Sequence, residues 1–126
     1  MQTRIYTSYF HNIENTVNPV SIARNEPKWF KHSQLFQSYK RIAPSWSLLG
    51  KAKSGKINFS EYVQLYHTSV LEHLSPIEVL AELNALFGQE MTLLCWEKNC
   101  FICHRRLFAK WLMKSIDLYI PESATG

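Results

Sequence analysis

The stretch Met91-Thr92-Leu93-Leu94-Cys95-Trp96-Glu97-Lys98-Asn99-Cys100-Phe101-Ile102-Cys103-His104-Arg105-Arg106 decides the fold. Its first six residues read as apolar on both faces, the mark of a central strand in a parallel sheet. A polar, ionisable turn follows. From about Cys103 to Asp117 the chain then reads as an amphipathic helix with Leu107, Phe108, Trp111, Leu112 and Ser115 on one side. Strand, turn and helix together place all three cysteines, a histidine and a carboxylate at the carboxyl end of a buried strand. In α/β proteins that is where ligand crevices form.

Upstream, Ser75-Pro76-Ile77-Glu78 supplies an N-cap serine, a proline at the first helical position and a glutamate at the capping-box position. The helix it starts runs through Val79, Leu80, Leu83 and Leu86-Phe87 and stops at Gly88. Before it, Asn58 caps a helix in which Phe59, Tyr62, Val63, Tyr66, Val70 and Leu74 recur at helical spacing. The Lys51 to Lys56 cluster, with Gly50 and Gly55, reads as an exposed turn. From Trp29 to Gly55 the pattern is irregular: Leu35-Phe36 and Tyr39 predict a helical turn or two, interrupted at Ala43-Pro44-Ser45-Trp46. Two strands precede this region, Arg4 to Phe10 and Pro19 to Ala23. Only about eight residues join them, short of the usual dozen for a helical parallel crossover.

A chain of 126 residues, 46% of them hydrophobic and 13% aromatic, predicts one packed domain and excludes wholesale disorder. We expect a single α/β domain over residues 1–120 and a flexible tail over 121–126. A net charge of +4 without a dense basic tract permits an anionic ligand or nucleic acid but demands neither. No apolar run approaches the roughly 20 residues of a membrane span, and the amino terminus leads directly into strand-like sequence. The expected location is therefore cytoplasmic, with no membrane partner. Three clustered cysteines do not make a secreted disulfide framework, so they are expected to be thiols.

Arg105 and Arg106 fall in the first turn of the last helix, where the macrodipole is already positive. Each cation there costs on the order of 0.3 to 1 kcal/mol unless an anion offsets it. That anion is either a phosphate, sulfate or carboxylate ligand or an internal partner, for which Glu97 is the candidate. Cys103, near the same helix terminus, is the first candidate nucleophile because the local field lowers a thiol pKa. Cys95 is either a buried packing thiol or a group lining the crevice. His104 is either a general base or a turn cap, since neighbouring helix side chains diverge by about 100° and pair poorly with one another. Cys100-Phe101-Ile102-Cys103-His104 has the spacing of a haem attachment site, and Cys95, Cys100, Cys103 and His104 offer zinc-type donors. The first lacks an export signal and the second a second cysteine pair, so no metal and no cofactor are expected.

Leu94-Cys95-Trp96-Glu97-Lys98 followed by Cys103-His104-Arg105 resembles the "LLC-aromatic-EK … CHR" signature of the domain of unknown function 488 family. Ile5-Tyr6-Thr7, Val20-Ser21-Ile22-Ala23-Arg24 with Pro27 and Trp29, Ala43-Pro44-Ser45 and the Ser75-Pro76 helix extend the resemblance over nearly the whole chain. It implies a small three-layer, Rossmann-like α/β domain with a short, mostly parallel sheet and flanking helices. It also implies one crevice ringed by Cys95, Glu97, Lys98, Cys103, His104 and Arg105. It names no reaction, and Cys100 is outside the pattern.

The expectation is an uncharacterised cytoplasmic enzyme acting on an anionic, phosphate- or nucleotide-like ligand. Cys95, Glu97, Cys103 and His104 are its catalytic candidates; Ser21, Arg24, Lys98 and Arg105 are its ligand-binding candidates. The alternative is a non-catalytic module that binds nucleic acid or protein through the same cations. Oligomeric state is not legible from the chain.

Overall fold

A computed structural model describes residues 3–24, 37–95 and 104–122. Along them run β1 (Arg4–Tyr9), β2 (Pro19–Ser21), β3 (Gln37–Ser38), α1 (Trp46–Lys53), α2 (Phe59–Ser69), α3 (Pro76–Phe87), β4 (Glu90–Cys95) and α4 (Arg105–Ser115). β4 pairs with β1 from Arg4↔Glu90 to Tyr9↔Cys95, and on its other side with β2 from Pro19↔Thr92 to Ser21↔Leu94. β3 extends the sheet beyond β2, giving the order β1-β4-β2-β3 with every pairing parallel. This is a small α/β fold with a parallel sheet and flanking helices, and β4 is central because Met91 to Cys95 are all buried.

The short link between β1 and β2 has a simple geometry. β1 ends level with Cys95 and β2 starts level with Thr92, so the chain drops only about 10 Å while it crosses β4. A 3-10 turn, Phe10–Asn15, makes that passage without a full helix. Asn18 then fastens the corner. Its φ of 46° is tolerated by asparagine, and its side-chain amide donates to Phe87 O at 2.8 Å and Glu90 O at 3.0 Å.

Strand alternation sorts the interior into two faces. Met91, Leu93 and Cys95 join Ile5, Val20 and Ile22 in the main core, with Tyr62 and Tyr66 of α2, Val79 and Leu83 of α3, and Phe108 and Leu112 of α4. Leu94 belongs to a smaller cluster with Phe10 and Ala23, against which Ile13 packs.

The helix ends follow local chemistry. Asn58 accepts from Glu61 N while Glu61 returns a bond to Asn58 N, a full capping box. Ser75 accepts from Glu78 N, and Gly88 closes α3 at φ 88°.

Several sequence expectations change. Ser45 caps α1, a helix inside the stretch read as irregular; Lys51 and Lys53 lie in its last turn, with Lys56 beyond it. Tyr39 follows a two-residue strand rather than sitting in a helical turn, and Leu35 and Phe36 lie outside the described residues. β2 stops at Ser21. α4 spans Arg105–Ser115, and its buried side is Arg105, Phe108, Ala109 and Leu112, whereas Ser115 is exposed. Pro121 and Glu122, assigned to the tail, are held: Thr7 N donates to Pro121 O at 3.0 Å, and Glu122 forms a parallel bridge to Thr7.

Candidate functional site

Cys95 is the last residue of β4 and His104 the residue before α4, and the fold closes them on each other. His104 Nε2 lies 2.6 Å from Ile22 O. A carbonyl only accepts, so Nε2 carries the proton and, in the neutral ring, Nδ1 presents its lone pair. That lone pair faces Cys95 Sγ at 3.6 Å. The imidazole of His104 therefore bridges the Ile22 carbonyl and the Cys95 thiol through its two ring nitrogens, the kind of contact a thiol nucleophile needs to be activated. Both side chains are deeply buried, Cys95 at 1% and His104 at 3% exposure.

Tyr66 forms the wall behind the pair. Its ring centroid is 5.4 Å from that of His104 at a 53° tilt, and its hydroxyl donates to Ile42 O at 2.7 Å. Burial pushes the Tyr66 hydroxyl well above the usual phenol range, with Tyr62 and Cys95 adding to the shift. Tyr66 is therefore a fixed neutral donor.

The ligand-binding candidates are placed differently. Ser21 is level with Leu94, so by alternation it lies on the opposite sheet face from Cys95. Arg24 Nε donates to Pro44 O at 2.9 Å and Nη2 to Ala43 O at 3.0 Å, which ties the end of β2 to the segment before α1. Arg105 is buried, and its guanidinium meets Glu122 at 2.9 Å. The internal carboxylate opposite the first turn of α4 is thus Glu122 among the described residues. Glu97, the partner expected from sequence, lies outside them, as do Lys98 and Cys103. A groove of about 230 Å³ lies between Thr3, Arg4, Ile5 and Tyr6 and the segment Leu118, Tyr119 and Pro121. It borders the first half of β1, away from Cys95.

Sequence reasoning named Cys95 and His104 but not their pairing, and it missed Tyr66, Thr7 and Glu122. Tyr66 carried only a helix-face signal. Glu122 carried none beyond being an acid downstream of two arginines.

A parallel sheet whose central strand ends in a thiol, met by a histidine at the start of the next helix, defines a small α/β protein with a buried cysteine–histidine pair. The family model DUF488-N3a, described as the active DUF488-N3 subclade, matches residues 5–116. The chain belongs to the DUF488 family. No curated protein and no solved structure matches it.

Proposed function

We propose that this protein is a thiol enzyme in which Cys95 is the nucleophile and His104 its base, acting on an anionic, phosphate- or nucleotide-like ligand. The observation that carries the reading is the bridge from Ile22 O through His104 to Cys95 Sγ. Sγ attacks an electrophilic centre of the ligand, its proton passes to Nδ1, and the imidazolium returns that proton to the leaving group. The carbonyl of Ile22 keeps the ring in the required tautomer throughout. Arg105, one residue beyond the base, holds the anion. Thiol chemistry of this kind belongs in a reducing compartment, in keeping with a cytoplasmic location.

The test is alkylation of the folded protein by iodoacetamide at neutral pH, mapped by peptide so that Cys95 is read apart from Cys100 and Cys103. Cys95 should be labelled, and His104→Gln should slow its labelling by about a hundredfold, the lower range for a positioned base. Equal rates in the two proteins, or a Cys95 that is never labelled, would overturn the reading.

A further inference from the structure

Arg105 Nε donates to Glu122 Oε1 at 2.9 Å, and Nη2 reaches Oε2 at 3.5 Å, from a side chain only 5% exposed. The Thr7 hydroxyl donates to the same Oε1 at 2.7 Å and accepts from Arg106 Nη1 at 2.9 Å. Arg106 Nη1 itself stands 3.9 Å from Oε1. One carboxylate is thus gripped by a guanidinium fork, a hydroxyl and a second cation, the donor set suited to carboxylate and phosphate oxygens. Among the described residues the seat sets two guanidiniums against that single carboxylate, and the first turn of α4 contains no acid.

The segment that delivers Glu122 is fastened more lightly than its head group. Pro121 O accepts from Thr7 N, Ile120 O accepts from Arg106 Nη1 at 3.0 Å, and Ile120 N donates to Met113 Sδ at 3.3 Å, a weak acceptor. The Glu122 side chain also keeps 40% of its surface in solvent. Thr7 is level with Leu93, which shares its sheet face with Cys95, and Arg105 directly follows His104.

We propose that Arg105, Thr7 and Arg106 form an oxyanion-binding site and that Glu122 is its built-in competitor, displaced when the anionic group of a ligand takes the seat. This rests on the reading of Arg105 as a ligand group and adds its regulation: the C-terminal strap keeps the seat filled until an external anion outbids it. A phosphate group is the better occupant, because it brings more negative charge and three acceptor oxygens to the two guanidiniums.

Inorganic phosphate is the probe, titrated by calorimetry into the whole protein and its Glu122→Gln variant. The variant should bind phosphate about tenfold more tightly, as expected if the strap is lifted in about one molecule in ten. Adding Arg105→Gln to it should abolish that binding. In the unaltered protein, phosphate should speed hydrogen exchange at the Thr7 amide, whose N–H is held by Pro121 O; this readout decides the matter even if Glu122→Gln fails to fold. Equal affinity with and without Glu122, through Arg105 and with unchanged Thr7 exchange, overturns the strap and leaves Arg105 as a ligand group. Absence of phosphate binding in both proteins overturns strap and ligand role together.

Discussion

At the scale of single residues, His104 works through both ring nitrogens, so its replacement has a structural consequence separate from any chemistry. His104→Gln can restore at most one of the two contacts, to Ile22 O or to Cys95. We expect a loss of about 1–3 kcal/mol in urea unfolding, the cost of leaving a buried polar group unmatched. The sequence already showed both partners, but read locally His104 is a turn cap or a base with only Cys103 beside it, a neighbour with which it pairs poorly. The pairing with Cys95 depends on where a strand ends and a helix begins, and no local pattern encodes that. A second cluster is open to titration. Glu82 accepts from the Tyr39 hydroxyl and from Arg41 Nη1, and these two donors hold its carboxyl below the ordinary 4.5. A depressed acid stabilises the fold above its unfolded value, and that contribution disappears as pH falls through the folded value. Urea midpoints measured on the acid side should therefore fall less steeply in Glu82→Gln than in the parent. Tyr39, raised by burial first and by Glu82 second, has the opposite sign: its contribution is lost as pH rises through its folded value, beyond the usual phenol range.

At the scale of elements, what the chain announces locally is what the structure keeps. Asn58, Ser75 with Pro76, and Gly88 mark helix ends through bonds made within four residues, and each is found in place, with Glu61 completing the box at Asn58. Gly88 has φ 88° and ψ −156°, a region open essentially to glycine alone, while a Cβ there would meet no atom within 4 Å. Gly88→Ala should therefore cost about 1–3 kcal/mol through backbone strain alone, measured by thermal unfolding. Asn58→Ala removes the side-chain half of a capping box and should cost about 1 kcal/mol by the same measurement. The elements that were not legible are those defined by distant partners. β3 is two residues long and exists because Val20 and Ser21 pair with it, so no alternation could reveal it. α1 hides behind Pro44 and Gly50, and its capping serine is readable only once the helix is known. Asn18 looks like an ordinary loop residue, although its amide joins the end of α3 to the start of β4.

At the scale of the whole molecule, the central apolar strand and the parallel α/β arrangement were visible, whereas the closure of the chain by its own C-terminal segment was not. Residues 118–122 carry no period and no turn signal; they are ordered by what they meet, namely Met113, Arg105, Arg106 and Thr7. That closure predicts a measurable coupling. Glu122→Gln leaves a buried guanidinium without its carboxylate and should cost about 1–3 kcal/mol, below the 3–5 of a fully buried pair because Glu122 is partly in solvent. Arg105→Met removes the buried charge instead, and its methionine fills similar space. It leaves Glu122 with Thr7, Arg106 and water, so the penalty should be smaller. With both changes the interior has neither an unmatched charge nor a missing volume, and much of the stability lost in Glu122→Gln should return. The double-mutant cycle, followed by urea unfolding, should therefore give a coupling energy of about 1–3 kcal/mol. Additivity within about 0.5 kcal/mol would mean that the C-terminal segment is held by its backbone bonds to β1 and not by this ion pair.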